Sequence, residues 1–202
     1  MPSKREYRKV LLAKRNQLEP KKHKEKSLHV QTQLIKTKIW QKAKTVMLYA
    51  SFQSEVETHN LVFKALAEKK YVLLSCLNAH KEIIPYRIQD PNLDLTPGYA
   101  GILEPLPQRC MVWDVDNIDL IVIPGCGFDL KGGRLGYGLG CYDQFLRKVK
   151  SFPLKIGLAF EICIVPNLPS TSQDIKMDMV ITEERIIYCS SKNWRRQPDL
   201  NW

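Results

Sequence analysis

Short apolar runs, each closed by glycine, proline or polar residues, recur along the chain. Residues 45–51 (TVMLYAS), 71–76 (YVLLSC), 118–123 (IDLIVI), 154–160 (LKIGLAF) and 177–182 (MDMVIT) carry large aliphatic side chains with little polar alternation. Runs of that length and composition predict buried strands in a sheet covered on both faces. A further run, 82–88, is shorter and predicts a hairpin partner for the second strand. Between the runs the apolar spacing becomes helical. Ser3 can cap a helix from residue 4, where Tyr7, Leu11 and Leu18 form one stripe and Lys4, Arg8 and Arg15 another. Pro20 suits the first position of a second helix reaching about residue 38. Residues 58–69 turn Leu61, Ala65 and Leu66 inward. Residues 141–150 put Tyr142, Phe145, Leu146 and Val149 on one face, with Arg147, Lys148 and Lys150 near the end, where the helix dipole favours cations. Residues 93–107 read as loop. Strands alternating with helices predict an α/β fold: a mainly parallel sheet with helices on both faces.

The 202 residues suit one domain, assigned here to 1–188, and 189–202 read as a flexible tail. No internal repeat is visible. Six cysteines show no metal spacing and fit reduced thiols in a cytoplasm. No signal peptide opens the chain, and no apolar run approaches the ~20 residues of a membrane span. The net charge is +10, and its placement is uneven: residues 1–44 hold 14 Lys or Arg against three acids, whereas the remainder is nearly balanced. This marks a basic helical segment rather than a nucleic-acid coat over the whole surface. Most of its charges, Arg15 included, are expected on a solvent face.

The stretch 124–143, PGCGFDLKGGRLGYGLGCYD, concentrates the chemistry. Seven glycines (125, 127, 132, 133, 136, 138 and 140) lie between the strand at 118–123 and the helix at 141–150. Glycine lets backbone amides turn toward an anion, and a helix N-terminus adds to such a phosphate cradle. Arg134 supplies a planar cationic fork, and Asp143 a carboxylate able to hold a metal beside phosphates. The spacing is neither the Lys-Ser/Thr phosphate loop nor GxGxxG. Glu55 and Glu57 follow the first strand at its carboxyl end, where open α/β sheets bind ligands.

RLGYGLGCYD preceded by PGCGFD closely resembles the signature of the 5-formyltetrahydrofolate cyclo-ligase family, PG-x-x-FD-x-x-G-x-RLG-x-G-x-GYYD. The resemblance spans roughly residues 4–187 and implies a three-layer α/β/α fold. It also implies ATP-dependent closure of 5-formyltetrahydrofolate to 5,10-methenyltetrahydrofolate, with ATP and magnesium as cofactors and a monomeric, cytoplasmic protein without membrane or nucleic-acid partners. By the same resemblance Lys4 and Arg8 match an N-terminal K-x-x-x-R that holds ATP phosphates, with Arg134, Leu135, Gly136, Gly138, Gly140 and Tyr142. Arg134 and Tyr142 take the catalytic positions. Glu55, in the context QSEVET, matches a glutamate on the pterin; Ala50 and Phe52 line its wall. Tyr137, Gly138, Leu139 and Cys141 fall on the substrate side. Asp143 and Asp174 match the magnesium ligands, with Asp178 competing for the second place. GILEP, 101–105, matches a segment near the site. The chain departs from the pattern in two places: Cys141 replaces the first tyrosine of GYYD, and Leu139 replaces the usual Gly or Lys. No residue in CLNAHKEIIPYR fills the basic position that members often carry after the second strand. The alternative is a basic nucleic-acid-binding or nucleotide-binding module of the same fold without ligase chemistry.

Overall fold

The computed structural model describes residues 2–98 and 101–189. The chain opens with helices α1 (Lys4–Asn16), α2 (Pro20–Lys36) and α3 (Lys38–Lys42). Strand β1 (Thr45–Leu48), helix α4 (His59–Ala67), strands β2 (Tyr71–Leu77) and β3 (Ile83–Ile88), and the short helix α5 (Pro91–Asp94) follow. Next come β4 (Leu95–Pro97), β5 (Leu103–Pro105), β6 (Met111–Val112), β7 (Leu120–Ile123), β8 (Gly127–Asp129) and β9 (Arg134–Leu135). Helix α6 (Cys141–Lys148) precedes β10 (Leu154–Leu158), β11 (Ile164–Val165), β12 (Met179–Ile181) and β13 (Ile186–Tyr188).

The main sheet has the order β13-β12-β10-β7-β1-β2-β3-β6. Its centre, β12 to β2, is parallel. Antiparallel β13, β3 and β6 flank it. Alternation along the strands splits the core into two layers. Val46, Leu48, Val72, Leu74, Leu120 and Val122 pack with Val30 and Leu34 of α2, Trp40 of α3 and Leu61 of α4. Met47, Leu73, Ile121 and Ile123 face the other way, onto Phe145 and Leu146 of α6. Period-two alternation with both faces buried is the reason these runs look uniformly apolar. The architecture is the three-layer α/β/α expected.

Several local expectations are corrected. The second helix breaks at Thr37, whose side chain accepts from Trp40 N–H and caps a separate α3. Residues 93–107 contain the β4–β5 pair, with Leu95 opposite Pro105. The strand near 177–182 does not close the sheet, because β13 pairs beyond it. Cys189, placed at the start of the expected tail, is buried; residues 190–202 of that tail lie outside the described residues. Helix α1 is held by a capping box between Ser3 and Glu6. Its Leu11 packs with Cys126, Leu135 and Leu168 over a small sheet of β11, β8 and β9.

Candidate active site

Strand order reverses at the centre of the main sheet. From β1 the chain moves outward to β2 on one side, and later β7, β10 and β12 fill the other. The crevice at the carboxyl ends of β1 and β7 is therefore the topological switch point, the usual ligand site of an open α/β sheet. A cavity of about 640 Å³ opens there, between the loop after β1 and the segment joining β7 to α6.

The glycine-rich segment divides in two. Residues 127–129 and 134–135 pair as a hairpin, so the first four glycines serve packing rather than an anion cradle. A Cβ on Gly127 would meet Leu11 Cδ1 at 2.3 Å, and one on Gly132, at φ +81°, would meet the Met177 carbonyl oxygen at 2.5 Å. Gly136, Gly138 and Gly140 alone line the cavity. Gly138 and Gly140 hold positive φ, and Gly140 caps α6.

Cations and carboxylates pair along the cavity wall. Arg134 Nη2 donates to Asp143 Oδ2 at 2.7 Å, and Asp143 Oδ1 accepts from Ile175 N–H at 3.0 Å. Lys4 Nζ donates to both oxygens of Asp174, at 2.7 and 2.6 Å. Burial pushes the Asp174 carboxyl up, but hydrogen bonds from Lys4 and Thr171 outweigh it and hold the group below its ordinary value. Arg8 Nε donates to the Gly136 carbonyl oxygen at 2.9 Å. Arg134 lies over the ring of Tyr142, 5.5 Å from its centroid. Among the described residues Arg134 Nε is buried without a hydrogen-bond partner, so the guanidinium retains an unspent donor. Tyr142 OH meets Ser75 Oγ at 3.1 Å, and burial drives its pKa well above the phenol value.

Ala50, Phe52, Leu77, Ile83, Ile102 and Leu139 add apolar lining to the cavity, with Glu55 and Glu104. Glu55 is 5% exposed. Its Oε2 accepts from Phe52 N–H at 3.0 Å and its Oε1 from Tyr137 OH at 2.8 Å. Burial raises its pKa, opposed by those two donors and by the charge of Arg15.

Every residue matched to an ATP, folate or magnesium position lines this cavity, including Leu135, Cys141 and Asp174; Asp178 and Glu57 do not. Asp178 is fully buried, paired with Lys155 Nζ at 2.6 Å. Arg15 overturns its expectation: it is 3% exposed and bonded behind the cavity wall. Its spacing from Lys4 and Arg8 was the available signal, because all three lie on one helix face. Tyr49, Ser75 and Cys76 also reach the cavity, and nothing in their local sequence marked them; Glu104 reaches it too, from the GILEP segment matched near the site. Among the described residues no three His, Cys, Asp or Glu side chains gather around a metal position. No described helix is long and apolar enough to cross a membrane.

A family model described as the 5-formyltetrahydrofolate cyclo-ligase family matches residues 1–183. A Schizosaccharomyces pombe protein named "Probable 5-formyltetrahydrofolate cyclo-ligase" is 31% identical over 175 residues, 80% of this chain and 85% of its own. The 5-formyltetrahydrofolate cyclo-ligase of Haemophilus influenzae is 33% identical over 138 residues, 67% of this chain and 73% of its own. In solved structures, the 5,10-methenyltetrahydrofolate synthetase of Aquifex aeolicus superposes with a TM-score of 0.82 at 33% identity, covering 93% of each chain. A match that runs through α1, the glycine-rich segment and β12 alike takes in every element that builds the cavity, and on it the chain belongs to the 5-formyltetrahydrofolate cyclo-ligase family.

Proposed function

We propose that the cavity performs the family's reaction as a division of labour between its charged and its apolar lining. The chain is an ATP-dependent ligase that cyclises 5-formyltetrahydrofolate to 5,10-methenyltetrahydrofolate and releases ADP and phosphate. A formamide carbonyl is a poor electrophile, and its oxygen leaves badly. Transfer of the γ-phosphoryl group to the formyl oxygen cures both defects. The side-arm nitrogen then attacks the formyl carbon, loses its proton, closes the ring and expels phosphate.

Phosphoryl transfer asks a protein chiefly for alignment and for neutralisation of charge. Lys4, Arg8 and Arg134 supply positive charge. Gly136, Gly138 and Gly140, with Leu135 between them and the hairpin, let the triphosphate approach the backbone. Arg134 is the catalytic cation: its unspent Nε and its position over Tyr142 support that role. Tyr142 packs against the reacting ligands, and its raised pKa keeps it a neutral donor. Asp143 and Asp174 fit a hard cation. Both are carboxylates on the cavity, and Asp143 is tied to the backbone of Ile175, beside Asp174. Two carboxylates plus nucleotide oxygens is an ordinary magnesium environment. Bound there, magnesium would neutralise phosphate charge. Among the apolar lining Glu55 accepts from the pterin N–H groups, with Ala50, Tyr137, Gly138, Leu139 and Cys141 against the folate body.

The observation that carries this reading is the juxtaposition of three cations, two carboxylates and a glycine-lined wall with a buried Glu55 inside one cavity. The protein acts as one domain over 1–188, as a monomer in the cytoplasm, where its six free cysteines fit a reducing compartment. The alternative of a basic binding module is not favoured, since Lys4, Arg8 and Arg15 turn into the molecule. The test is the growth of methenyl-folate absorbance from 5-formyltetrahydrofolate, ATP and magnesium. Wild type is expected to turn over, and Arg134→Ala to lose at least about a hundredfold in kcat. Turnover undiminished in Arg134→Ala would refute the assignment.

A further inference from the structure

Arg15 is buried and charged, and no step above uses it. Its Nε donates to Ser54 Oγ at 3.0 Å, its Nη1 to the Gly125 carbonyl oxygen at 2.9 Å, and its Nη2 to Tyr137 OH at 2.8 Å. These bonds join the last turn of α1 to the loop after β1, the turn after β7 and the glycine-rich wall. A buried guanidinium is costly without an acid to answer it. Among these contacts the answering carboxylate is Glu55, one hydroxyl away, because Tyr137 OH donates to Glu55 Oε1 at 2.8 Å.

The direction of this chain of bonds is fixed. Guanidinium nitrogens only donate, so the Tyr137 oxygen accepts from Arg15 and its single proton points to Glu55. Phe52 N–H occupies the other carboxylate oxygen. Both oxygens of Glu55 are thus acceptors, the arrangement that suits the ionised form. We infer that Arg15 is a positioning residue for folate recognition: acting through Tyr137, it holds Glu55 ionised and aimed into the cavity, so that the pterin meets a preset acceptor. This rests on the cyclo-ligase reading above. Burial works against the ionised carboxylate, and the Phe52 amide, the Tyr137 hydroxyl and the Arg15 charge oppose it. The other titratable groups facing Glu55 are Tyr49 beyond β1, Tyr142 of α6 and Cys126 after β7, while His23 of α2 meets the Glu55 backbone carbonyl and the Glu57 carboxylate. Among the described residues the cation that acts on the Glu55 carboxylate is Arg15.

The experiment compares wild type, Arg15→Met, Arg15→Lys, Tyr137→Phe and the Arg15→Met/Tyr137→Phe double variant in the methenyl-folate assay, from acid to neutral pH. In Arg15→Met the acid limb of kcat/KM for 5-formyltetrahydrofolate is expected to move up by about one pH unit, with a roughly tenfold loss below it. The KM for ATP should change less than about twofold, and Arg15→Lys should recover part of the loss. The double variant should be no worse than the poorer single variant, as for two members of one relay. An unmoved acid limb in Arg15→Met, or folate and ATP KM rising together, would overturn the inference. If Arg15→Met does not fold, as its melting would show, Arg15→Lys and Tyr137→Phe decide: a wild-type acid limb in both overturns it. Absence of turnover in wild type would instead remove the cyclo-ligase reading and this inference with it.

Discussion

Two carboxylates of the site answer pH in opposite directions. Glu55 has a folded pKa above its ordinary 4.5, with burial as the main cause. Its stabilising contribution is complete below that value and is lost as pH rises through the folded pKa. Glu55→Gln turns an amide N–H onto the Phe52 or Tyr137 donor and leaves Arg15 without its acid, so it is expected to melt below wild type, the gap narrowing as pH rises through the folded pKa, and to lose turnover. Asp174 has a folded pKa below its ordinary 3.8, because the hydrogen bonds from Lys4 and Thr171 outweigh burial. Its contribution is present above that value and is lost as pH falls through the folded pKa. Asp174→Asn should melt below wild type at neutral pH, the gap closing in strong acid. Melting curves across pH check both; a Glu55→Gln variant more stable than wild type in acid would contradict the first. Cys141 gives a third expectation at this scale. It is partly buried on the cavity wall where the family pattern has an aromatic ring. Cys141→Tyr should tighten 5-formyltetrahydrofolate more than ATP, read by titration of each ligand; unchanged affinity for both would show that the ring does not reach the folate.

The elements were legible where burial imposes a period. Buried parallel strands appear as unbroken aliphatic runs, and α6 as one apolar stripe, because both arise from geometry the sequence must repeat. The β8–β9 hairpin was not legible. Gly127, Gly132 and Gly133 are selected by close approach of Leu11, Met177 and Asp129, which are distant in sequence or hidden in a turn. A glycine chosen for packing and a glycine chosen for a ligand look alike in one dimension. Arg15 was obscured for a similar reason: its partners Ser54, Gly125 and Tyr137 come from three later segments. The two glycine roles separate by mutation. Gly132→Ala forces an L-residue to positive φ against a backbone oxygen 2.5 Å away, and is expected to lose roughly 2 kcal/mol or more in denaturant unfolding. Gly136→Ala meets the movable end of Arg134, its Nη1 at 2.8 Å. It should keep most of its stability and lose turnover. Equal loss of stability in both would show that the second half of the segment is structural too.

At the scale of the molecule, the site is assembled from both ends of the chain around a switch point in the sheet. Lys4 of α1 bonds Asp174, and Arg8 and Arg15 bond the wall after β7, so α1 lies across the sheet's carboxyl edge. Its apolar anchor is small: Leu11 is buried, while Tyr7 and Leu12 are only partly so. Helix α2, by contrast, buries Val30 and Leu34 in the main core. Much of the hold on α1 is thus polar and passes through the residues assigned to ATP. A ligand that binds only the assembled state adds RT ln(1 + [L]/Kd), about 2.7 kcal/mol at a hundredfold excess over Kd. That energy should fall on α1 before α2, since α1 has less apolar packing to lose when it opens alone. Hydrogen exchange with ATP and magnesium is therefore expected to slow the amides of α1 and of the segment 134–140 more than those of α2 or β10. Lys4→Ala and Arg8→Ala should weaken that protection without changing exchange in β10. Protection spread evenly over the sheet, with α1 no slower than before, would mean that α1 is fixed already and that the nucleotide does not grip it.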